Sequence, residues 1–429
     1  MIIDRIVGSL AAGVARSRGV RRADRLVALL RTLISEQGEA TGAALARRAV
    51  ALYRGLDEGG RKHLFARLER DFAPDPVAVL LAAVAYHADP GVASLAALQR
   101  ATEPARQEVF RRMNMAPGGT AALLEFRREL LAAEKERPSL SAVDHDLRHL
   151  LASWFNRGFL ELRRIDWNTP AAILEKLIVY EAVHRIHGFP DLKRRLERDR
   201  RCLAFFHPAL PDEPLIFVEV ALLDEMPAEV APILAMDSPV DDPRRARCAV
   251  FYSITSCQPG LRGISFGNFL IKQVAEDLRA ELPNLRLFAT LSPVPGLRGW
   301  VTKVLGPSEA GEFGPEASPE ERMTLERLAA HYLTREWSAS QALDPVARFH
   351  LGNGARLERL NWMADASERG LAQSFGLMVN YVYDLGDVER NHEDYVKRHQ
   401  VACAAAVEKL AREAAPALEK ARHTPTFPT

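Results

Sequence analysis

The chain has 429 residues, which is enough for two or three domains with sizeable hydrophobic cores. Its 57 Lys and Arg residues nearly balance its 56 Asp and Glu residues, so the formal net charge of +1 gives no overall attraction for nucleic acid. The composition, 48% hydrophobic and 26% charged, is that of a globular protein, and since no apolar run reaches about 18 residues we expect no membrane partner.

The first third of the sequence has the apolar spacing of amphipathic helices. Leu26, Leu29, Leu30 and Leu33 follow the i, i+3, i+4, i+7 pattern, and the stretch 123–133 repeats it. Glycine and proline pairs, which form turns, separate such stretches. We see no strand-like alternation before about residue 200, and this part offers no catalytic residue. The pattern predicts a helical bundle.

The second half contains short segments that are rich in β-branched and aromatic residues and bounded by turn residues, which predicts strands. Between two of these segments, Cys248–Ile254 and Leu285–Leu291, apolar residues recur at every fourth position from Phe266 to Leu282, which predicts a helix. We therefore predict an α+β protein, with an all-α helical bundle over 1–145 and a mixed α/β domain over 146–429. The predicted strands are Pro214–Leu222, Cys248–Ile254, Leu285–Leu291 and Leu377–Tyr383.

The segment between the second predicted strand and this helix contains several glycines and one arginine. Gly260, Gly263 and Gly267 permit tight turns and the close approach of a ligand to the backbone. The free N–H groups of a helix start, together with Arg262, would form an anion site suited to phosphate oxygens. A merely tight connection between strand and helix explains the glycines equally well, because neither the P-loop pattern nor G-x-G-x-x-G is present.

Two further groups of residues favour ordinary structural roles. His145 and His149 lie four residues apart, but the position after His145 holds Asp146 where zinc proteases carry glutamate, so a solvated helix face is favoured over a metal site. The four cysteines form no C-x-x-C pair. This pattern predicts reduced thiols and no metal site, and we expect a cytoplasmic protein. The Arg-rich start of the sequence also resembles a mitochondrial-type presequence, but Asp4 comes early in it, which favours the first helix of a cytoplasmic protein.

Three longer strings carry a resemblance to a known family. They are QPGLRGISFGNFLIKQV from residue 258, FATLSPVPGLRGWV from residue 288 and DPVARFHLGNGARLERLNWMADASERGLAQSFGLMVNY from residue 344. In this order they resemble the malonyl-CoA decarboxylases. The resemblance implies a helical domain that helps a homo-oligomer, a dimer or tetramer, to assemble. It also implies a catalytic domain that is similar to the GNAT acyl-CoA fold.

The resemblance assigns roles to individual residues. The family's catalytic serine corresponds to Ser292 and its catalytic histidine to His350. Thr290 shares a face with Ser292 if the strand persists, which makes it a second candidate hydroxyl. Taken alone, a serine before a proline is usually a turn residue, and a lone histidine is usually structural. The loop expected to contact CoA comprises Arg262, Gly263, Ile264, Ser265, Phe266, Gly267 and Asn268.

The chemistry that the resemblance implies suits these residue types. Loss of CO2 from malonyl-CoA leaves a thioester enolate, and because the thioester itself accepts the electron pair, no cofactor is expected. Ser292 would stabilise the enolate oxygen by a hydrogen bond. His350, expected to titrate near neutrality, would protonate C2 to give acetyl-CoA. Ser292 could instead accept a proton from the substrate carboxyl.

Two rival functions stay open from the sequence. An acyltransferase that uses acetyl-CoA would need the same CoA loop, and a non-catalytic CoA-binding or scaffold protein would make its functional contacts through the helical third. The pair of Ser292 and His350 favours the decarboxylase, because direct transfer of an acetyl group to an amine would not require that pair.

Overall fold

The computed structural model describes residues 2–35, 38–264, 270–415 and 418. Their contacts divide them into two compact units, each built from several pieces of the sequence. The boundary that we placed between residues 145 and 146 stays a prediction. As far as the ranges are described, the first unit is Met1–Glu161, His207–Pro211 and Gln258–Phe266, and the second is Leu162–Phe206, Asp212–Cys257 and Gly267–Thr429.

The first unit contains the predicted helical bundle. Leu26, Leu30 and Leu33 are buried as their spacing predicts, and Leu29 is half-buried. Phe126, from the second predicted stripe, meets the rings of several neighbouring aromatic residues in its core. The helices are α1 (Ile2–Ser35), α2 (Glu39–Arg54), α3 (Glu58–Asp71), α4 (Pro76–Ala88), α5 (Val92–Thr102), α6 (Ala105–Asn114), α7 (Gly119–Glu134) and α8 (Ser141–Trp154).

The second unit is built around a mixed sheet in which β1 to β5 are successive neighbours, followed by β10 and β6, while β9 also pairs with β10. The strands β7 and β8 form a separate pair. The strands are β1 (Glu161–Ile165), β2 (Arg200–Phe206), β3 (Ile216–Leu223), β4 (Cys248–Ser256), β5 (Leu287–Thr290), β6 (Ser292–Pro293), β7 (Trp337–Ser338), β8 (Gln341–Ala342), β9 (Arg356–Asn361) and β10 (Met378–Val382).

Helices pack on this sheet and connect its strands. One cluster of buried side chains joins the helix after β1 to β2 and β3, and another lies around β4, β5 and β10. The helices are α9 (Ala171–Tyr180), α10 (Phe189–Arg195), α11 (Ala231–Leu234), α12 (Leu270–Glu281), α13 (Leu297–Leu305), α14 (Pro307–Ala310), α15 (Pro319–Arg335), α16 (Pro345–Gly352), α17 (Glu368–Ser374), α18 (Val388–Arg398) and α19 (Ala405–Arg412).

The predicted fold class, a helical part followed by a mixed α/β domain, is confirmed. All four predicted strands occur within a few residues of the expected bounds, as β3, β4, β5 and β10. In the predicted helix, now α12, Leu270, Val274 and Leu278 are buried, while Phe266 lies outside the described residues.

One expectation about the strands was wrong. The strand β1 lies before residue 200, where we had seen no strand-like alternation. Its sequence, ELRRI, carries three charged residues, and it is the edge strand next to β2, so most of its side chains are at least partly exposed. A strand whose charges face solvent on both sides shows no apolar alternation, and the pattern that identifies strands is absent.

Among the neighbouring strands of the described sheet whose register is assigned, only β4 and β5 are parallel. The helix α12 connects them. The carboxyl ends of parallel neighbours meet at one edge of a sheet, where ligands of α/β proteins commonly bind. Ser292 follows directly beyond β5 at this edge. Within the described part of the chain, no helix combines the length and the hydropathy needed to cross a bilayer.

Candidate active site

Ser292 is fixed by pairing of β6 with β10, in which it lies opposite Val379. Its side chain is buried, and its hydroxyl donates a hydrogen bond of 2.8 Å to Oγ1 of Thr290. The Thr290 hydroxyl also accepts from the backbone N–H of Tyr381 at 3.2 Å. The side-chain amide of Asn380 donates to the Thr290 carbonyl at 2.8 Å. The strand ends therefore hold both hydroxyls in place.

His350 lies on α16 and points its ring at Ser292. Its Nε2 is 3.0 Å from Oγ of Ser292, and its Nδ1 is 2.8 Å from the hydroxyl oxygen of Tyr383. The ring of Tyr381 stacks on the imidazole, with 4.6 Å between ring centroids. The structure thus brings together the serine and histidine that the sequence singled out, with Thr290 beside them.

The hydrogen bonds of this group run in one direction. Since the Ser292 hydroxyl donates to Thr290, it accepts from Nε2–H of His350, and the ring is the tautomer protonated at Nε2. The other nitrogen, Nδ1, then accepts from the Tyr383 hydroxyl. Burial raises the pKa of Tyr383, so this hydroxyl remains a donor at neutral pH.

Burial lowers the pKa of His350 to about 3, because a buried imidazolium loses its hydration. The expectation that His350 titrates near neutrality is therefore wrong for the protein without substrate. At pH 7 the ring is neutral, and it still carries one N–H, which it directs at Ser292. A neutral imidazole in this position is a hydrogen-bond donor without a formal charge.

A cleft of about 260 Å³ opens onto these two side chains. A third polar group in its wall is Ser253 of β4, whose hydroxyl donates to both carboxylate oxygens of the buried Glu181 at 2.8 Å. Hydrogen-bond donors in an apolar enclosure stabilise developing negative charge better than they do in water. The apolar lining includes Phe251, Ile254, Pro293, Pro345, Val346 and Phe349.

Several residues of the site were missed from the sequence. Asp344 caps α16, the helix that carries His350, and an aspartate before a proline is a recognised helix start, so a signal existed. Tyr383 ends a predicted strand, and nothing in its spacing indicates a hydrogen bond to His350. Asn380 and Tyr381 stand in the strings that resemble the family, but packing explained them as well as chemistry did.

The start of the predicted CoA loop belongs to the first unit, which contains Arg262, Gly263 and Ile264. Buried Arg127 of α7 donates from Nη1 to the carbonyl oxygens of Gly260 and Arg262, each at 2.8 Å. A side chain at Gly260 would meet the carbonyl oxygen of Leu124 at 2.2 Å, so a residue other than glycine would displace α7 or the loop. The remaining predicted loop residues, Ser265, Phe266, Gly267 and Asn268, lie outside the described residues.

Comparison with known proteins gives two family matches and several similar structures. Residues 72–155 match the malonyl-CoA decarboxylase N-terminal domain, and residues 158–421 match the malonyl-CoA decarboxylase C-terminal domain. The mitochondrial malonyl-CoA decarboxylases of Anser anser anser and Mus musculus are 35% and 34% identical, and each alignment covers 81% of this chain. It covers 79% of the goose protein and 81% of the mouse protein.

Two crystal structures of malonyl-CoA decarboxylases are similar over both units. The protein from Rhodopseudomonas palustris has a TM-score of 0.86 and 49% identity, with 90% of this chain and 99% of that chain covered. The protein from Agrobacterium vitis has a TM-score of 0.83 and 46% identity, with the same coverage of both chains.

Proposed function

The chain belongs to the malonyl-CoA decarboxylase family, and on that premise we propose that it converts malonyl-CoA into acetyl-CoA and CO2 with Ser292 and His350. The observation that carries the proposal is the contact of 3.0 Å between Oγ of Ser292 and Nε2 of His350 at the wall of an apolar cleft. The first step is cleavage of the bond between C2 and the carboxylate carbon. Its electron pair moves into the thioester, which becomes an enolate.

Ser292 acts on the enolate oxygen. In the free protein its hydroxyl donates to Thr290, and rotation about the Cβ–Oγ bond turns the same proton towards a thioester oxygen in the cleft. The Nε2–H of His350 donates to Oγ of Ser292 and thereby strengthens Ser292 as a donor. Removal of one such donor typically lowers kcat by about 10²–10³.

His350 completes the reaction from its neutral form. Cleavage of the carbon–carbon bond needs no proton, so the first step does not require a protonated imidazolium. Once CO2 has left, the enolate carbon is a strong base and takes the Nε2 proton, while a proton from solvent restores the imidazole. One proton from water therefore replaces the lost CO2 at C2, and the atoms balance. General acids of this kind typically contribute about 10²–10⁴ in rate.

The site is tested by Ser292→Ala and His350→Asn, with Ser308→Ala and His187→Asn at exposed positions as matched controls. Labelled malonyl-CoA is supplied without an acyl acceptor, and CO2, acetyl-CoA and CoA affinity are measured. We expect kcat to fall by about 10²–10³ for Ser292→Ala and by about 10²–10⁴ for His350→Asn, with CoA affinity retained. Turnover near the wild-type value in both site variants would contradict the assignment. A requirement for an added amine would identify an acyltransferase instead.

We also propose that the chain assembles into homo-oligomers through the hairpin of α4 and α5. No residue of either helix is buried within the chain, and α4 contains no Asp, Glu, Lys or Arg. Val77, Leu80, Leu81 and Val84 form one stripe at i, i+3, i+4, i+7 spacing, and each is 58–65% exposed. The occupant that we infer is the same stripe of a second copy, because two uncharged apolar faces can meet across a two-fold axis without repulsion.

A cytoplasmic location is part of the same proposal. All four cysteines are unpaired, and burial raises the pKa of Cys248 to about 12 and that of Cys403 to about 11. Cysteines that form no disulfide are usual in reducing compartments, and the raised pKa keeps both of these thiols protonated at neutral pH. Fractionation of cells with an antibody against the chain tests the location, and recovery in a membrane or secreted fraction would contradict it.

A further inference from the structure

Arg148 of α8 lies against the loop that we propose to contact CoA. A Cβ atom built on Gly263 would be 3.8 Å from Cζ, 3.9 Å from Nη2 and 4.0 Å from Nε of Arg148. These nearly equal distances mean that the flat guanidinium faces Gly263. The side chain of Arg148 is exposed to solvent.

The acidic residue best placed to neutralise Arg148 is already engaged. Asp144 lies one helical turn before it, which is the spacing of an i, i+4 ion pair. The carboxylate of Asp144 instead forms an ion pair with buried Arg127, which donates to it from Nε at 2.7 Å and from Nη2 at 3.3 Å. The other acid on this turn, Asp146, pairs with buried Arg106. Arg148 therefore forms no ion pair with any described residue.

Two more donors without a partner among the described residues belong to the loop itself. The guanidinium of Arg262 is exposed and makes no ion pair within the described part of the chain. The N–H of Gly263 likewise donates to no described residue, and its φ of +75° is a left-handed conformation that glycine adopts without strain. The hydrogen bonds from Arg127 to the carbonyl oxygens of Gly260 and Arg262 fix the backbone of the loop on both sides of Leu261.

An exposed guanidinium that pairs with no acid can bind an anion through charge-assisted hydrogen bonds. We propose that Arg148, together with Arg262 and the N–H of Gly263, binds a phosphate group of CoA. This inference rests on the proposed function, because it takes the CoA thioester as the ligand. The shared chemistry is a phosphate ester, either the pyrophosphate or the 3′-phosphate of CoA.

The test uses the full chain with Arg148→Met, with Arg148→Lys to restore the charge, and with Arg48→Met as a control at an exposed arginine of α2. We expect Arg148→Met to raise the KM for malonyl-CoA and the Kd for CoA by about ten- to hundredfold, with kcat nearly unchanged. Arg148→Lys is expected to recover part of the affinity, and Arg48→Met to match the wild type.

Malonyl-pantetheine lacks both the pyrophosphate and the 3′-phosphate of CoA, so it shows whether the effect of Arg148→Met depends on a phosphate group. We expect wild type and Arg148→Met to share the same kcat/KM with it. If the contact is with the 3′-phosphate, the two proteins bind 3′-dephospho-CoA equally, and if it is with the pyrophosphate the variant remains weaker. An unchanged Kd for CoA, or an equal loss with malonyl-pantetheine, would overturn the inference. Calorimetry with CoA needs no turnover, so a protein that binds CoA but releases no CO2 would refute the function and leave the phosphate site standing.

Discussion

His350 makes hydrogen bonds through both ring nitrogens, and both partners are uncharged hydroxyls. In a Ser-His-Asp triad the second nitrogen meets a carboxylate, which favours the imidazolium. Here burial lowers the pKa to about 3, and Tyr383 brings no negative charge to oppose it. In the proposed mechanism His350 therefore enters the reaction as a neutral imidazole that donates its Nε2 proton, and not as an imidazolium.

The pH dependence of activity follows from this neutral state. The profile of kcat/KM reports the titration of groups in the free enzyme. Since His350 is already neutral well above its pKa of about 3, we expect kcat/KM to stay level from pH 5 to pH 8. The measurement is initial CO2 release at low malonyl-CoA concentration across this range. A fall of tenfold per pH unit above about 6.5 would show instead that a protonated histidine is required.

The sequence predicted two candidate catalytic residues but not their environment. Ser292 and His350 were identified by resemblance, and the structure places them 3.0 Å apart. The pKa of His350 depends on burial by residues that are distant in the sequence, such as Tyr381 and Tyr383. No local pattern around position 350 contains that information, and an ordinary histidine pKa was the natural expectation.

At the scale of elements, α16 is a short helix whose position determines where His350 lies. Asp344 begins it, accepting from the N–H groups of Val346 and Ala347 at 2.9 and 3.0 Å. The second carboxylate oxygen accepts from Gly296 N–H at 3.3 Å and from the Tyr332 hydroxyl at 3.4 Å. One buried carboxylate thus ties the helix start to the segment that follows β6.

We expect Asp344→Ala to lower the free energy of unfolding by about 1–3 kcal/mol, because it removes a cap and leaves buried donors unpaired. It should also lower kcat about tenfold or more, since a small shift of α16 moves the His350 ring away from its position beside Ser292. Chemical denaturation and initial rates measure the two effects.

The control is Asp57→Ala, which removes the cap of α3, where the carboxylate accepts from the N–H of Gly60 at 2.7 Å. It should lower stability by a similar amount and leave kcat unchanged. If both variants lost kcat equally, the effect of Asp344 would be general destabilisation and not the placement of α16.

The elements that were predicted share one property, an apolar run or stripe that a short window of the sequence shows. The strands β3 and β4 are buried over most of their length, and α12 has one buried stripe. The strand β1 and the two-residue strand β6 lack such a pattern. They exist because neighbours in the sheet satisfy their backbone groups, and pairing partners that lie far apart in the chain cannot be seen in a local window.

At the scale of the whole molecule, the exposed hairpin of α4 and α5 predicts the oligomeric state. We expect the double variant Leu80→Glu, Leu81→Glu to sediment as a monomer of 47.6 kDa, because each new charge would be buried without a partner at the interface. The wild type should have a mass that is a multiple of this value. Sedimentation equilibrium measures both.

Met236→Glu is the matched control, because Met236 is 63% exposed but lies outside the hairpin. It should leave the mass of the oligomer unchanged. A monomeric wild type, or a double variant with the mass of the wild type, would refute the hairpin as the interface.

The first unit includes the segment around Gly260, which follows Glu161 by about a hundred residues in the sequence. At roughly 5–20 residues per second, a ribosome makes that stretch in about 5–20 s. During this time the helices before Glu161 have been made, but Arg127 lacks its carbonyl acceptors on Gly260 and Arg262. The helical unit is therefore incomplete until β1 to β4 have been translated, and in a chain released earlier the guanidinium of Arg127 would lack these two acceptors and be accessible to chaperones and proteases.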